Sequence, residues 1–240
     1  MRLIIITGLS GSGKSSLAFD TIMSFGGRFS EALLADQLHK INVAFLVPGI
    51  RREFGGCAGN IAYNLNLLGG KPVPMATVGQ DFETYREHFE HCGIPLTHVK
   101  VVPDLYTAQA FITTDLANNQ ITAFHPGAMQ SAQLTPVPDR DDIRIAIIAP
   151  DGRDAMIEHA QQLAAAKIPF VFDPGQGLPM FDGEELKRFV AQATWVAVND
   201  YEARMLCDRT GQSLESLSTS HLAGVIVTLG GEGCDIWEQG

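Results

Sequence analysis

The second half of the chain alternates short apolar runs with amphipathic segments. From residue 143 onward the pattern predicts strands at 143–149, 170–172, 195–198 and 224–229, separated by helices at 153–167, 183–192 and 202–210. Apolar strands between amphipathic helices indicate βαβ units, and therefore a parallel sheet in an α/β fold. Ligands of such sheets bind where the strands end, so the polar residues that follow each strand are the first candidates for a site.

The first half of the chain has fewer regular segments. Leu3–Thr7 is an apolar, β-branched run, which predicts a central strand that is buried on both faces. Strand-like runs at 42–48, 107–114 and 121–124 predict a small antiparallel sheet, and the turn at 117–120 predicts a hairpin between the last two.

A polar helix is predicted over 82–91. His88 and His91 lie on adjacent turns of this helix, and Cys92 follows it. Three side chains are too few for a complete metal site, so a solvated helix face is the favoured interpretation and a metal site is the alternative.

The composition fits one globular domain that spans residues 1–240. The formal net charge of −10 disfavours nucleic acid and anionic membranes as partners, because binding to either requires Lys and Arg to neutralise phosphate groups. The four cysteines are scattered without a C-x-x-C pair, which indicates reduced thiols in the cytoplasm. No segment has the length and hydropathy that a membrane span needs. A small molecule is therefore the expected partner.

A glycine turn precedes a short helical pattern in the middle of the first half. Gly55 and Gly56 open the turn, Gly59 follows, and from Asn60 the apolar residues recur at helical spacing. Backbone N–H groups at a helix N-terminus, with no Cβ in the way, can bind the oxygens of a polar ligand. A glycine-rich connector without a ligand is the alternative.

The spacing of this segment resembles a known signature. Gly-Gly-x-Ala-x-Asn-x-Ala at 55–62, followed by Gly69 and Gly79, resembles the first signature of the PfkB family of sugar and nucleoside kinases. The resemblance covers the chain from about residue 20 onward. It implies a ribokinase-like fold, which is a three-layer αβα domain with a mostly parallel sheet and a small β lid. The lid strands are expected within about 40–54 and 105–125.

The same resemblance implies an acceptor site. Gly55, Gly56 and Asn60 are expected to line the pocket of the acceptor sugar. Asp20, at the start of Asp-Thr-Ile-Met, fits the position at which an aspartate of the family binds two sugar hydroxyls. A lid over such a site excludes water from phosphoryl transfer, and dimers of the family form through the lid, so a homodimer is expected.

Two further stretches resemble the nucleotide side of the family. Asn199-x-x-Glu202 resembles its N-x-x-E motif, whose glutamate organises Mg²⁺ and phosphate through water. An ordinary helix N-cap at Asn199 is the alternative. Thr228, Gly230 and Gly233 resemble the strand end and turn that border ATP in the family.

The N-terminus contains a different motif. Gly8, Gly13, Lys14 and Ser15 match the phosphate loop G-x-x-x-x-G-K-[ST], and a helix is predicted from Ser16. In such loops backbone N–H groups and the lysine bind phosphates, and the serine binds Mg²⁺.

Residues 6–22 resemble the first phosphate loop of the excision-repair ABC ATPase UvrA. The segment 1–22 therefore looks like the loop of one family on the scaffold of another. A P-loop NTPase with Asp173 as its second carboxylate is the alternative function, although the sequence contains no Leu-Ser-Gly-Gly-Gln signature.

The PfkB resemblance implies transfer of the γ-phosphoryl group of ATP, with Mg²⁺, to the hydroxymethyl group of a ribose-type sugar or a nucleoside. Adenosine is the preferred acceptor, because segments 39–59 and 107–129 resemble adenosine-kinase-like members. Three phenylalanines of the expected lid could contact a base, and a place in the apolar core is the alternative for each: Phe45, Phe111 and Phe124.

The second signature of the family, Gly-x-Gly-Asp, is expected after the turn at Gly230, and the sequence reaches Gly240 without it. Its aspartate is the base for the acceptor hydroxyl, so the catalytic residue is not identified within these 240 residues. The C-terminal part of the fold is expected to be missing and turnover to be low. A non-catalytic or chimeric module that binds nucleoside or nucleotide is the third hypothesis.

Overall fold

The structure is a computed structural model that describes residues 2–6, 18–24, 26–29, 44 and 46–238. A sheet of eight strands is formed by β1 (Arg2–Ile6), β4 (Lys71–Val78), β5 (His98–Val101), β8 (Ile145–Ile148), β9 (Phe170–Phe172), β10 (Trp195–Asn199), β11 (Gly224–Thr228) and β12 (Cys234–Glu238). A sheet of four strands is formed by β2 (Ala18–Ser24), β3 (Gly49–Gly55), β6 (Ala108–Thr114) and β7 (Gln120–His125).

The α-helices of the described residues are α1 (Cys57–Leu67), α2 (Glu83–His91), α3 (Arg153–Ala165), α4 (Gly183–Gln192), α5 (Asp200–Thr210) and α6 (Leu214–Ser218). Shorter 3-10 helices occupy Gly127–Leu134, Gly175–Met180 and Gly230–Glu232. None of the helices found in these residues has the length and apolar character needed to cross a membrane.

The large sheet has the strand order β12-β11-β10-β9-β8-β1-β4-β5. Its strands are parallel except for β12, which is antiparallel to β11. The predicted alternation from residue 143 is confirmed, because β8, β9, β10 and β11 alternate with α3, α4 and α5. The predicted central strand is also confirmed, since β1 lies between β8 and β4.

The sequence pattern predicts no strand where β4 lies. This strand contains Pro72 and Pro74, which have no N–H group to donate to a neighbouring strand. Both prolines pair with β1, whereas β5 pairs with β4 only from Met75 onward. The prolines therefore occupy the part of β4 that has a strand on one side only, which is where a sheet tolerates them.

Two apolar clusters hold the sheets and helices together. The larger one lies between the large sheet and helices α3 to α6, and in it Phe172 of β9 stacks on Phe189 of α4 with ring centroids 4.4 Å apart. The smaller one joins Phe19 of β2 to Ala58 of α1 and to Tyr85 of α2. The small sheet is thus connected to the rest of the molecule by buried aromatic contacts.

The small sheet has the strand order β3-β2-β6-β7. The predicted hairpin is confirmed: β6 and β7 are antiparallel, and Asn118 in their turn has a left-handed φ of 62°. The prediction of a wholly antiparallel sheet is wrong, because β2 and β6 run parallel. Parallel pairing joins segments about 90 residues apart, which a local pattern cannot indicate.

Two local predictions near this sheet are also wrong. Of the predicted strand 42–48, residues 44 and 46–48 are described and none is in a strand; β3 begins at Gly49 instead. The helix predicted from Ser16 is replaced from Ala18 onward by β2. In both cases long-range pairing between β2 and β3 determines the conformation, in preference to the local sequence.

Candidate functional site

The first two predicted acceptor residues meet at the end of the β2–β3 pair. Asp20 on β2 is 2% exposed and pairs with Glu53, two residues before Gly55. A Cβ built on Gly55 would lie 2.9 Å from Cγ of Asp20 and still closer to its Oδ2, which is too close for any real side chain. The Asp20 carboxylate therefore packs against the space that the glycine leaves open.

The next two predicted residues start helix α1. Gly56 is its N-cap residue and has a φ of 89°, a backbone conformation that residues other than glycine rarely adopt. It has no side chain with which to cap the helix. Asn60 is exposed, and its N–H donates to the Gly56 carbonyl over 2.9 Å in the first turn. Asn60 also lines a cavity of about 230 Å³ together with Glu53 and His88. The four residues Asp20, Gly55, Gly56 and Asn60 thus lie in succession around one strand-to-helix junction.

A tyrosine that the sequence analysis did not identify contacts this junction. The Tyr85 hydroxyl on α2 donates to the Gly55 carbonyl over 2.7 Å, and the residue is 2% exposed. Burial raises the pKa of Tyr85, and the negative charge of Asp20 adds to the effect. Tyr85 lies in the helix predicted to be a solvated polar face, so only the three-dimensional contact reveals it.

The histidines of the same helix do not form a metal site with their neighbours. His88 stacks on Phe54 with ring centroids 4.4 Å apart, and its Nε2 is 4.0 Å from Cys92 Sγ. Across the part of the chain that the structure describes, no group of three or more His, Cys, Asp or Glu side chains is arranged to hold a metal ion.

The end of β4 is tied to the beginning of β6. A Cβ on Gly79 would clash with the backbone of Tyr106, and the Gly79 N–H donates to Thr107 Oγ1 over 3.0 Å. Asp81 accepts from the Thr107 N–H over 2.7 Å and from Gln109 Nε2 over 2.9 Å. The Gly79-x-Asp81 segment therefore has a structural role in fixing where the small sheet joins the large one.

A second candidate site lies at the carboxyl ends of β9, β10 and β11. A cavity of about 430 Å³ is lined by Asp173, Gly175, Ala197, Val198, Asn199, Asp200, Tyr201, Glu202, Thr228 and Gly230. Asn199 pairs with Thr228 in the sheet register, so both reach this edge at the same level. Of the predicted nucleotide-side residues, only Gly233 is not in the cavity wall; it closes the following turn, where its carbonyl accepts from the Leu229 N–H over 2.8 Å.

Asn199 and Glu202 form a capping box at the start of α5. Asn199 Oδ1 accepts from the Glu202 N–H, and Glu202 Oε2 accepts from the Asn199 N–H, both over 2.8 Å. The alternative interpretation of this motif, an N-cap at Asn199, is therefore confirmed. It does not exclude a ligand role, because the cap uses one oxygen of Glu202 and the residue lines the cavity.

Asp173 lines the same cavity as this cap. Burial, and in second place the negative charge of Glu202, raise the pKa of Asp173 to about 7. Two carboxylates in one cavity repel each other, and a cation that binds between them would relieve the repulsion. Carboxylate oxygens are also the ligands that Mg²⁺ prefers, so Asp173 and Glu202 fit this ion chemically.

The residues of the N-terminal phosphate-loop motif, Gly8, Gly13, Lys14 and Ser15, lie outside the described residues. A loop of this kind leads into a helix, and the chain forms strand β2 at 18–24 instead. Asp173, the proposed second carboxylate of a P-loop site, shares its cavity with Asn199 and Glu202.

Comparison with known proteins identifies the family. A family model described as pfkB family carbohydrate kinase matches residues 22–240, and the chain belongs to this family. Over 103 residues the chain is also 31% identical to the UvrABC system protein A of Rickettsia prowazekii, a similarity that covers 42% of the chain and 11% of that protein.

Nucleoside kinases are among its relatives. The nucleoside kinase of Methanothermobacter thermautotrophicus is 29% identical over 218 residues, which cover 88% of this chain. The chain spans 70, 65 and 63% of the length of three archaeal nucleoside kinases that it matches.

A solved nucleoside kinase has the same fold. The Burkholderia thailandensis nucleoside kinase in complex with inosine superimposes with a TM-score of 0.83 and is 48% identical, covering 98% of this chain and 72% of that one. A second structure of that kinase contains ADP-inosine. The predicted ribokinase-like α/β fold is confirmed by this similarity.

Proposed function

We propose that this chain provides the scaffold for transfer of the γ-phosphoryl group of ATP to the hydroxymethyl group of a nucleoside. The observation that carries the proposal is the packing of the buried Asp20 carboxylate against Gly55, at the turn into α1. A buried carboxylate at the start of a helix can accept hydrogen bonds from two ribose hydroxyls, and backbone N–H groups of a helix start can bind further oxygens. The similarity to the Burkholderia thailandensis kinase supports a nucleoside as acceptor.

A purine nucleoside is the proposed acceptor class. The sequence favours adenosine, and the inosine complex of the 48% identical kinase supports a purine base, so a binding test should compare these two nucleosides directly. Among the lid phenylalanines, Phe111 is 40% exposed and is available to a base, whereas Phe124 packs on Ala108 and Met129 as a core residue. Phe45 lies outside the described residues.

The nucleotide is proposed to bind at the ends of β10 and β11. Thr228, Gly230 and Gly233 would border ATP, and the exposed turn around Gly230 leaves room for it beside the cavity. Asn199 and Glu202, with Asp173, would hold Mg²⁺ directly or through water. A bound Mg²⁺ would neutralise charge on the phosphates. The residues of this chain would position the nucleotide, and the carboxylates of Asp173 and Glu202 would lie beside it at this edge of the sheet.

The small sheet is proposed to act as the lid of a single domain and as the surface of a homodimer. Strand β3 is at its edge and is mostly exposed, and Ile50 on it is 68% exposed. The unpaired backbone edge of a strand can pair with another chain, and Ile50 and Phe54 add exposed apolar surface at the two ends of β3. Light scattering at increasing concentration tests the dimer, and a mass of one chain at all concentrations would contradict it.

Binding and turnover are best measured separately. Calorimetric titrations with adenosine, inosine and ribose, and with a Mg-bound non-hydrolysable ATP analogue, test each site alone. We expect the unsubstituted protein to bind nucleosides. Asp20→Asn should weaken this binding at least tenfold, because the variant loses the charged carboxylate that would accept hydrogen bonds from two hydroxyls. Ribose that binds as tightly as the nucleosides would refute the nucleoside assignment.

Turnover is assayed on the same protein. Phosphorylation of either nucleoside would rule out the hypothesis of a non-catalytic module.

A further inference from the structure

We propose that Tyr85 is a positioning residue for the acceptor nucleoside. Its phenolic hydroxyl donates a hydrogen bond to the carbonyl of Gly55. This bond fixes the orientation of the turn that contains Gly55 and Gly56 and that packs against Asp20. The inference rests on the proposed function, because it assigns to Tyr85 a role in the acceptor site described above.

The hydrogen bond joins two segments that are distant in the sequence. Tyr85 lies on α2, 30 residues after Gly55, and the contact from its hydroxyl to the Gly55 carbonyl is 2.7 Å long and buried. Gly55 is the last residue of β3, and Gly56 follows with a φ of 89°. At such a junction the peptide plane between the two glycines can rotate easily, because neither residue has a Cβ to restrict it. One fixed carbonyl restricts that rotation.

The carbonyl is coupled to the predicted acceptor side chain. The Asp20 carboxylate lies where a Cβ of Gly55 would be, with its Cγ 2.9 Å from that position. A rotation at Gly55 would therefore move the surface on which the carboxylate rests. The same rotation would turn the Gly56 N–H, which lies in that peptide plane, at the residue whose carbonyl accepts the first helical hydrogen bond from Asn60.

The ring of Tyr85 cannot follow such a movement. It packs on Phe89 with centroids 4.8 Å apart, on Phe54 at 4.7 Å and on Phe19 at 5.7 Å. Phe19 and Phe54 belong to the lid strands β2 and β3, whereas Phe89 belongs to α2. Close packing on several sides fixes the position of the hydroxyl. The hydrogen bond from this fixed hydroxyl therefore restricts the orientation of the Gly55 carbonyl.

Tyr85→Phe separates the hydroxyl from the packing. The ring contacts remain, while the Gly55 carbonyl loses the donor that the structure gives it. Thr135→Val is the matched control: the Thr135 hydroxyl is also buried and also donates to a main-chain carbonyl, that of Ala132, over 2.7 Å. Thr135 lies after the 3-10 helix 127–134, outside both candidate sites.

The test measures the affinity of each variant for inosine, for adenosine and for a Mg-bound ATP analogue, together with the melting temperature. Both variants should melt at lower temperature, because each loses one buried hydrogen bond. Only Tyr85→Phe should weaken nucleoside binding, by about tenfold, which corresponds to the loss of one well-formed hydrogen bond. Its affinity for the ATP analogue should be unchanged.

A replacement that restores a donor provides a second test. Tyr85→4-aminophenylalanine places an N–H donor where the hydroxyl was and should recover most of the nucleoside affinity. Recovery would not be expected if the loss in Tyr85→Phe came from a general loosening of the fold.

The outcomes distinguish the two proposals. Failure of the unsubstituted protein to bind either nucleoside would overturn the proposed function itself. Nucleoside binding by the unsubstituted protein that Tyr85→Phe leaves unchanged would overturn only the role of Tyr85. Equal loss of nucleoside and ATP-analogue affinity in Tyr85→Phe, or equal loss in Thr135→Val, would show that the hydroxyl has a purely structural role and would also overturn the inference.

Discussion

The carboxylate of Asp20 occupies the space in which Gly55 would carry a Cβ. The two residues lie on neighbouring strands of the small sheet, and Gly55 is where the chain leaves that sheet for helix α1. A glycine at this position thus has a reason beyond flexibility, because it allows a buried carboxylate to approach the backbone. The relationship can be tested by adding a single methyl group.

Gly55→Ala should displace the Asp20 carboxylate and weaken nucleoside binding at least tenfold. The added Cβ would lie 2.9 Å from Asp20 Cγ, so the carboxylate or the turn must shift. Gly49→Ala is the control, because Gly49 begins the same strand and a Cβ there meets nothing within 4 Å. Calorimetric titration with inosine checks the prediction, and equal affinities for the two variants would contradict it.

Glu202→Gln should separate capping from ligand binding at the start of α5. Glutamine at this position can still accept from the Asn199 N–H, so the stability should change by less than about 0.5 kcal/mol. The gain in ATP-analogue affinity that Mg²⁺ provides should largely disappear, because a carboxylate has been lost. Titrations with and without Mg²⁺ measure that gain.

Asn199→Ala is the complementary variant. It removes the side chain that caps the helix and should cost about 1 kcal/mol of stability. If Glu202→Gln keeps the full effect of Mg²⁺, capping is the whole role of Glu202.

Asp173→Asn should stabilise the protein above pH 7. Burial and the charge of Glu202 raise the pKa of Asp173 to about 7, above its ordinary value of 3.8. Between these two values the folded state binds a proton that the unfolded state does not, so the contribution of Asp173 to stability falls as the pH rises toward 7. The gain in stability, measured by urea unfolding, should be larger at pH 8 than at pH 5 by roughly 1–3 kcal/mol. A gain that is equal at both pH values would contradict the raised pKa.

His159 should act in the opposite direction. It is fully buried, and burial lowers its pKa to about 4, although the contact of its Nε2 with the Thr135 carbonyl at 2.9 Å opposes the shift. Between pH 6.5 and 4 the unfolded state binds the proton, so the contribution of His159 to stability is present above pH 6.5 and is lost as the pH falls.

His159→Gln keeps a donor for the carbonyl but does not titrate. Between pH 7 and pH 5 the unsubstituted protein should lose about 1–2 kcal/mol more stability than this variant. Urea unfolding at the two pH values measures the difference, and parallel behaviour of the two proteins would show that His159 titrates normally.

Local signals were sufficient for much of this fold. The βαβ alternation after residue 143 and the hairpin turn at Asn118 depend on residues a few positions apart, and both were predicted correctly. The capping box of Asn199 and Glu202 is a signal of the same kind. The sequence also indicated the family, because the signature at 55–62 is contiguous.

The local signals failed where a distant partner determines the conformation. Residues 18–24 follow a phosphate-loop motif that predicts a helix, yet they form β2 because β3 and β6 pair with them on both sides. The sequence pattern does not predict strand β4, because Pro72 and Pro74 are untypical of a strand interior. The strand forms because it pairs with β1.

The sequence by itself therefore determined the family, the order of most helices and strands, and the residue types that the two candidate sites contain. Tertiary structure alone decided which of these residues meet. It placed Asp20 against Gly55, the Tyr85 hydroxyl at the carbonyl of the same glycine, and Asp173 in one cavity with Glu202. The physical reason is that each of these contacts joins segments about 30 residues apart, and their closeness depends on how strands pair and apolar faces pack, which no short stretch of sequence specifies.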